Sequence, residues 1–366
     1  MKFELDAVFI EERYRDSALA ARVLDALPPS VPVSYIDDGR EAARPLNGID
    51  DVFAAGKRRL IVMGRRSPFL MACPAASAGF ACCGYLVLTL ASNCPMDCSY
   101  CFLQEYLADN PGFQVYANYA DCFDELFRLT TAAPGRHFRV GTGELADSLA
   151  FDSITGIGRA MVEFFAGQEN LLLEFKTKTD EIGGLLRIDP KARTLVSWTL
   201  SPEAVFRSSE RLTAPPARRI QAAQKAREAG YKIAFHFDPI IAYPGAEADY
   251  LALLDELFDT VAPEHIAFIS LGGLRITPGL RKIVRRRFPG DPMMVGEDVL
   301  SPDGRYRAFT PLRLRLYRLL DERIRKARAD TAVYLCMEPA SVHERVFGAP
   351  PLSPGTVGES LAGPRT

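Results

Sequence analysis

Cys94, Cys98 and Cys101 lie in the run Asn93-Cys-Pro-Met-Asp-Cys-Ser-Tyr-Cys-Phe102, with the spacing C-x3-C-x2-C and no fourth cysteine close behind. Three thiolates so spaced can hold three irons of a [4Fe–4S] cluster and leave the fourth open, whereas electron-transfer clusters usually close the site with four cysteines. An open iron can chelate the amino and carboxylate groups of S-adenosylmethionine, and one electron then splits the sulfonium to give a 5′-deoxyadenosyl radical that takes hydrogen from carbon. The alternatives are a structural zinc site and three unrelated buried thiols. Zinc normally takes four ligands from paired short-spaced elements, and the sequence shows no such pairing.

The chain that must position these cysteines has 366 residues, 48% of them hydrophobic, enough for one large domain with an appended lobe. The other cysteines, Cys73, Cys82, Cys83, Cys122 and Cys336, form no evident disulfide framework. No signal-peptide pattern opens the sequence and no apolar run is long enough to span a bilayer, so a reducing cytoplasm and no membrane partner are expected. The net charge of −2 does not suggest a nucleic-acid binder, but Arg275 to Arg328 carries 15 Lys and Arg against 6 Asp and Glu, a local +9. That asymmetry fits either an anionic partner or solvated, salt-bridged helix faces.

The hydrophobic pattern predicts a small α/β lobe over residues 1–75, with strands at Ala7–Ile10, Val31–Ile36 and Arg59–Met63 and a helix at Ser17–Leu27. Residues 76–350 read as a repeating βα unit. Strands are expected at Tyr85–Leu90, leading into the cysteine loop, and then at Phe138–Val140, Leu171–Phe175, Thr194–Trp198, Ile233–Phe237 and Ile266–Ser270. Helical patterns lie at Arg218–Ala229 and Ala248–Val261. Six such units suit a partial (β/α)6 barrel with its active site at the C-terminal strand ends. Residues 275–328 are expected to form a basic hairpin and helix region, and 351–366 a tail.

Several residues fall at that strand-end level. Gly141-Thr-Gly-Glu144 follows one strand, where small residues permit close backbone approach and a carboxylate can accept from an ammonium group; by itself it is also an ordinary turn. Lys178 ends the next strand, and Ser197, Thr199 and Ser201 the one after. His236 and Asp238 share a strand face, with a substrate or cofactor role weighed against a satisfied structural histidine.

These motifs resemble the radical S-adenosylmethionine superfamily, whose cluster motif has this spacing with an aromatic residue, here Tyr100, before the third cysteine. Gly141, Gly143 and Glu144 look like a variant of its Gly-Gly-Glu motif at the methionyl amine. From their places at or near strand ends, Lys178, Thr199 and His236 are further cofactor-binding candidates. Cys82-Cys-Gly-Tyr85, Asn93 through Gln104, Phe175-Lys-Thr-Lys178, Ala229-Gly-Tyr-Lys232 with Asp238-Pro-Ile-Ile241, and Tyr334-Leu-Cys-Met-Glu338 with Val346-Phe-Gly348 are similar to the spore photoproduct lyase family. That resemblance implies a carbon-carbon lyase repairing a thymine-dimer lesion in DNA, fed by a reductant such as flavodoxin or ferredoxin.

The chain departs from the family where a hydrogen-donor cysteine and its tyrosine partner would stand: Gly141, Thr142 and Gly143 occupy the first place and Phe102 the second. Cys336, ending a predicted late strand, is the expected substitute donor, with Tyr100 as aromatic neighbour. Ser301-Pro-Asp-Gly304 predicts a turn, and Arg305, Tyr306 and Arg307 on the arm behind it are the candidate DNA contacts. The missing donor favours the alternative of a radical enzyme acting on a nucleoside, nucleotide or other small molecule; a third class is a cluster-bearing binding or sensor protein without turnover.

Overall fold

The computed structural model describes residues 3–73, 80, 83–189, 193–292, 296–349 and 351. Cys82 and nearly all of the expected tail lie outside them. All six expected barrel strands are present, at Leu86–Leu88, Phe138–Gly141, Leu171–Thr177, Thr194–Thr199, Lys232–Ile240 and Ile266–Gly273. They pair in parallel in chain order, Val333–Leu335 adds a parallel strand at one edge, and Leu70–Ala72 pairs antiparallel at the other. Among the described residues the two edge strands do not pair with each other, so the sheet is an open partial barrel.

Strand periodicity sorts the side chains into two layers. Leu171, Leu173, Phe175, Val196, Trp198, Phe235, Phe237 and Leu271 point outward into the main core. Helices Ile157–Ala166, Pro216–Glu228 and Ala246–Thr260 cover that face. The alternate residues point inward, where Leu172, Leu195, Ala234, Phe268 and Tyr334 make an apolar floor. Glu174 and Lys176 share the inward face of their strand with Leu172, so polar chemistry is raised in steps above a dry base.

The N-terminal lobe has strands Ala7–Glu11, Val33–Ile36 and Arg59–Met63 in parallel. Its sheet continues into Phe113–Tyr116, parallel to the third strand, and Ala91–Ser92, antiparallel to Phe113–Tyr116. The segments on either side of the cysteine loop are therefore strands of this lobe. Helix Val52–Lys57 of the same lobe ends beside the loop.

Candidate active site

The loop carrying Cys94, Cys98 and Cys101 is pinned from four directions. Asn93 takes a positive φ of 70°, a conformation asparagine tolerates; its Oδ1 accepts from the Cys94 N–H at 2.7 Å and its Nδ2 donates to the Pro111 carbonyl at 2.5 Å. From the N-terminal lobe, the buried Lys57 ammonium donates to the Cys94 carbonyl at 2.8 Å and to the Met96 carbonyl. Gln104 donates to the Ser99 carbonyl at 2.7 Å and the Cys101 carbonyl at 3.2 Å. Arg287, at the end of helix Pro278–Arg287, donates to Asp97 at 3.1 Å, Asp51 at 2.9 Å and the side-chain Oε1 of Gln104. Cys98 pairs in an antiparallel bridge with Glu210.

Burial pushes all three thiols up, Cys94 to about 12, while Lys57 opposes this at Cys94 and Cys101 and Lys178 at Cys98 and Cys101. A metal bound here would have to displace a proton from each sulfur, and the two lysines favour thiolates. Among the described residues no three His, Cys, Asp or Glu side chains converge on one metal ion.

Facing them across the barrel mouth is the loop after Phe138–Gly141. Asp147 ties it to the next strand, accepting from Thr177 Oγ1 at 2.7 Å and the Lys178 N–H at 2.8 Å. A Cβ on Gly143 would lie 2.7 Å from the Lys176 Cβ, and one on Gly141 would lie 1.7 Å from the Tyr85 hydroxyl, so neither place accepts a side chain. Burial raises the Glu144 carboxyl above its ordinary value, opposed mainly by Lys176, and its carboxylate has no hydrogen-bond partner among the described residues. A buried carboxylate held open in this way can receive an ammonium group of a ligand. The Lys178 ammonium lies 5.7 Å from the centre of the Tyr100 ring, close enough to lower the thiols of Cys98 and Cys101.

Below this rim is a buried polar layer. His236 Nδ1 meets Ser270 Oγ at 2.6 Å and Nε2 meets Glu174 Oε1 at 2.8 Å; Ser197 Oγ donates to the same carboxylate at 2.7 Å. Burial, reinforced by Lys176, lowers His236 to about 4, so the imidazole is neutral. Burial alone would raise Glu174, but Arg139 and His236 hold it at about 2. Between this layer and the rim, Asp238 pairs with Arg275 at 2.8 Å, and Arg275 also holds the Cys336 carbonyl at 3.2 Å.

The spore photoproduct lyase family model matches residues 6–307, which takes in the whole cysteine loop, the rim and most of the barrel. The chain belongs to the spore photoproduct lyase family. Among curated relatives, spore photoproduct lyase of Bacillus subtilis (strain 168) is 24% identical over 214 residues, 58% of this chain and 62% of the relative. That of Geobacillus sp. (strain Y412MC61) is 26% identical over 55% of this chain and 60% of the relative, so the chain spans about three fifths of the length of both. The Clostridium acetobutylicum enzyme is 21% identical over 73% of this chain and 77% of the relative. Two solved structures share the fold at TM-score 0.81, covering 92% of this chain and 100% of theirs. They are spore photoproduct lyase complexed with dinucleoside spore photoproduct, 20% identical, and a double variant with bound AdoMet and the same dinucleoside, 21% identical.

Within this family fold, Cys94, Cys98 and Cys101, Gly141, Gly143, Glu144 and Lys178 lie at one end of the barrel, and other expected site residues do not. His236 sits below the rim with both ring nitrogens engaged, which corrects its assignment as a cofactor contact to a positioning role. Thr199 is buried and its carbonyl accepts from Arg219 at 2.9 Å, so its backbone braces the Arg219–Glu210 pair. The Tyr100 hydroxyl donates to Glu210, which also takes Ser201 Oγ at 2.8 Å and Arg219; its proton is committed to a buried carboxylate. Cys336 lies beside Asp238 and Arg275, with burial pushing its thiol up.

The basic hairpin exists, with Asp298–Leu300 antiparallel to Tyr306–Ala308. Arg307, however, is 1% exposed and donates to both oxygens of Asp303 at 2.6 and 2.7 Å; it braces the turn and has no face for a phosphate. Arg305 is half-buried and shares Asp303, while Tyr306 is covered by the Arg281 guanidinium at 4.7 Å. Arg287 serves the cysteine loop. Of the fifteen cations of the tract, nine make ion pairs among the described residues, six of them with acids outside it, so much of the local +9 is neutralised in the fold.

The functional residues that sequence reasoning missed are Lys57, Arg139, Glu174, Lys176, Glu210, Arg219 and Arg275. A signal existed for Glu174 and Lys176, which share strand parity with Lys178. None existed for Lys57, whose role depends on a lobe folding back onto a loop 37 residues away.

Proposed function

We propose that this chain is a radical S-adenosylmethionine lyase that repairs a thymine-dimer lesion of the spore photoproduct type in DNA. The observation that carries the reading is the convergence of Cys94, Cys98 and Cys101 with the open Glu144 carboxylate and Lys178 at one barrel mouth. When bound, a [4Fe–4S] cluster and S-adenosylmethionine would supply a radical able to take hydrogen from carbon. The three cysteines would hold the irons, Glu144 would receive the methionyl ammonium, and Lys178 would balance carboxylate or thiolate charge. Lys176, kept charged by Asp238 and Glu144 despite burial, would fix the position of Glu144 beneath the ligand. Arg305, with Arg285 on the exposed end of its helix, would meet phosphate. The enzyme would work in the cytoplasm with a low-potential one-electron donor.

The dinucleoside lesion bound by related structures supports this substrate class. The test is anaerobic reconstitution and reduction with S-adenosylmethionine, with and without the dinucleoside spore photoproduct or duplex DNA containing it, reading 5′-deoxyadenosine and thymine by mass spectrometry. Lesion-dependent thymine supports repair. Deoxyadenosine with an untouched lesion would favour the second reading, a nucleoside or other small-molecule substrate, which the inward-turned Arg307 also favours.

A further inference from the structure

Tyr85 stands just before strand Leu86–Leu88 and reaches across to Gly141 on the neighbouring strand. Its hydroxyl occupies the volume a side chain at position 141 would fill: an ideal Cβ there would lie 1.7 Å from the phenolic oxygen and 2.2 Å from the carbon that bears it. That oxygen is buried and the O–H finds no acceptor among the described residues. Below, the Arg139 guanidinium lies 5.1 Å from the ring centre; above are the Gly143 backbone and Glu144. Burial, with Glu174 and Glu144 adding to it, keeps the phenol protonated. A buried hydroxyl left without an acceptor costs about 1–3 kcal/mol, so its retention at a catalytic rim asks for a reason.

Resting on the repair reading above, we propose that Tyr85 is the hydrogen-atom donor that quenches the product radical in this chain. A lesion radical that fragments leaves one normal thymine and one carbon radical that lacks a hydrogen. The Tyr85 O–H bond breaks and a C–H bond forms on that carbon; the hydrogen moves as a whole atom, so no base is required, and a neutral tyrosyl radical remains. One electron from the low-potential donor that reduces the cluster, dithionite in the assay, and one solvent proton restore the phenol. Gly141 makes the arrangement possible because any side chain there would displace the hydroxyl. A phenol that already donated a hydrogen bond would have to break it first, whereas the Tyr85 O–H, with the Gly143 backbone against its oxygen, is committed to no acceptor among the described residues.

The test uses the reconstituted full chain with the dinucleoside spore photoproduct in D2O, comparing wild type with Tyr85→Phe, Gly141→Ala and Cys336→Ala. Phenol protons exchange with solvent, so wild type should place one deuterium in the repaired thymine. Tyr85→Phe should still consume lesion and form deoxyadenosine, with thymine per lesion consumed falling roughly tenfold or more. Gly141→Ala, which keeps the phenol but moves it, should fall likewise. Freeze-quenched wild type should show a tyrosyl signal that narrows when the protein carries ring-deuterated tyrosine. Unchanged labelled-thymine yield in Tyr85→Phe overturns the proposal, and a loss confined to Cys336→Ala transfers the role to that thiol. Wild type that cleaves S-adenosylmethionine but leaves the lesion intact refutes the repair reading itself, and the donor role falls with it.

Discussion

Acid should weaken this fold through His236. Folded, its imidazole is held near 4 by burial and by Lys176, against an ordinary value of 6.5. A group depressed in this way binds its proton more tightly once the chain unfolds, so stability is greatest above 6.5 and falls as the pH drops towards 4. The gap between those values corresponds to roughly 3 kcal/mol, a large part of a typical total of about 5–15 kcal/mol. Glu174, held at about 2 in the fold, stays charged there through the whole window, but its unfolded form begins to take up a proton near 4.5 and adds a smaller loss at the acid end, which the variant shares. Urea unfolding of the cluster-free chain at about pH 7.5 and about pH 4.5 measures the effect, with His236→Gln as the reference for every other titrating group. The stability difference between the two proteins should shift by most of that 3 kcal/mol between the two conditions. Parallel pH dependences in wild type and variant would refute the reasoning.

Lys57→Met removes the ammonium that holds two loop carbonyls; the stranded acceptors should cost about 1–3 kcal/mol each, and iron bound per chain after reconstitution should drop, whereas full loading would count against the clamp. Arg219 and Glu210 are both fully buried, so Arg219→Met should destabilise by roughly 3–5 kcal/mol in urea, and an unchanged midpoint would contradict it. Arg305→Ala and Arg307→Ala should behave oppositely. The former should reduce the salt slope of DNA binding by about one. The latter should lower the unfolding midpoint and leave that slope alone; equal slopes in Arg305→Ala and wild type would remove the phosphate role.

Local pattern made the barrel legible. Outward Leu173, Phe175 and Thr177 alternate with inward Glu174 and Lys176, and that period of two is written in consecutive residues. The cysteine spacing was legible for the same reason, because three ligands on one short loop need no tertiary information. His236 and Arg307 were misplaced because burial depends on what packs above them. His236 looked like a strand-end residue, but the sheet continues to Ile240, leaving the imidazole a full layer below the rim. Arg307 looked like a phosphate hand, but the hairpin turn brings Asp303 onto its guanidinium. The reach of Tyr85 into the space above Gly141 combines two strands whose register the sequence does not state.

The cysteine loop leaves and re-enters the N-terminal sheet at neighbouring positions, with Ala91 opposite Val115 and Ser92 opposite Gln114. In thermodynamic terms the loop is a closed cassette clipped to a sheet that contributes no cluster ligand. Any free energy released when irons bind is shared with that sheet, because holding the loop in its loaded shape also holds the two strands that close it. Cluster assembly should therefore protect backbone amides in Phe113–Tyr116 and Arg59–Met63 from hydrogen exchange, and damage to the lobe should surface first as lost iron.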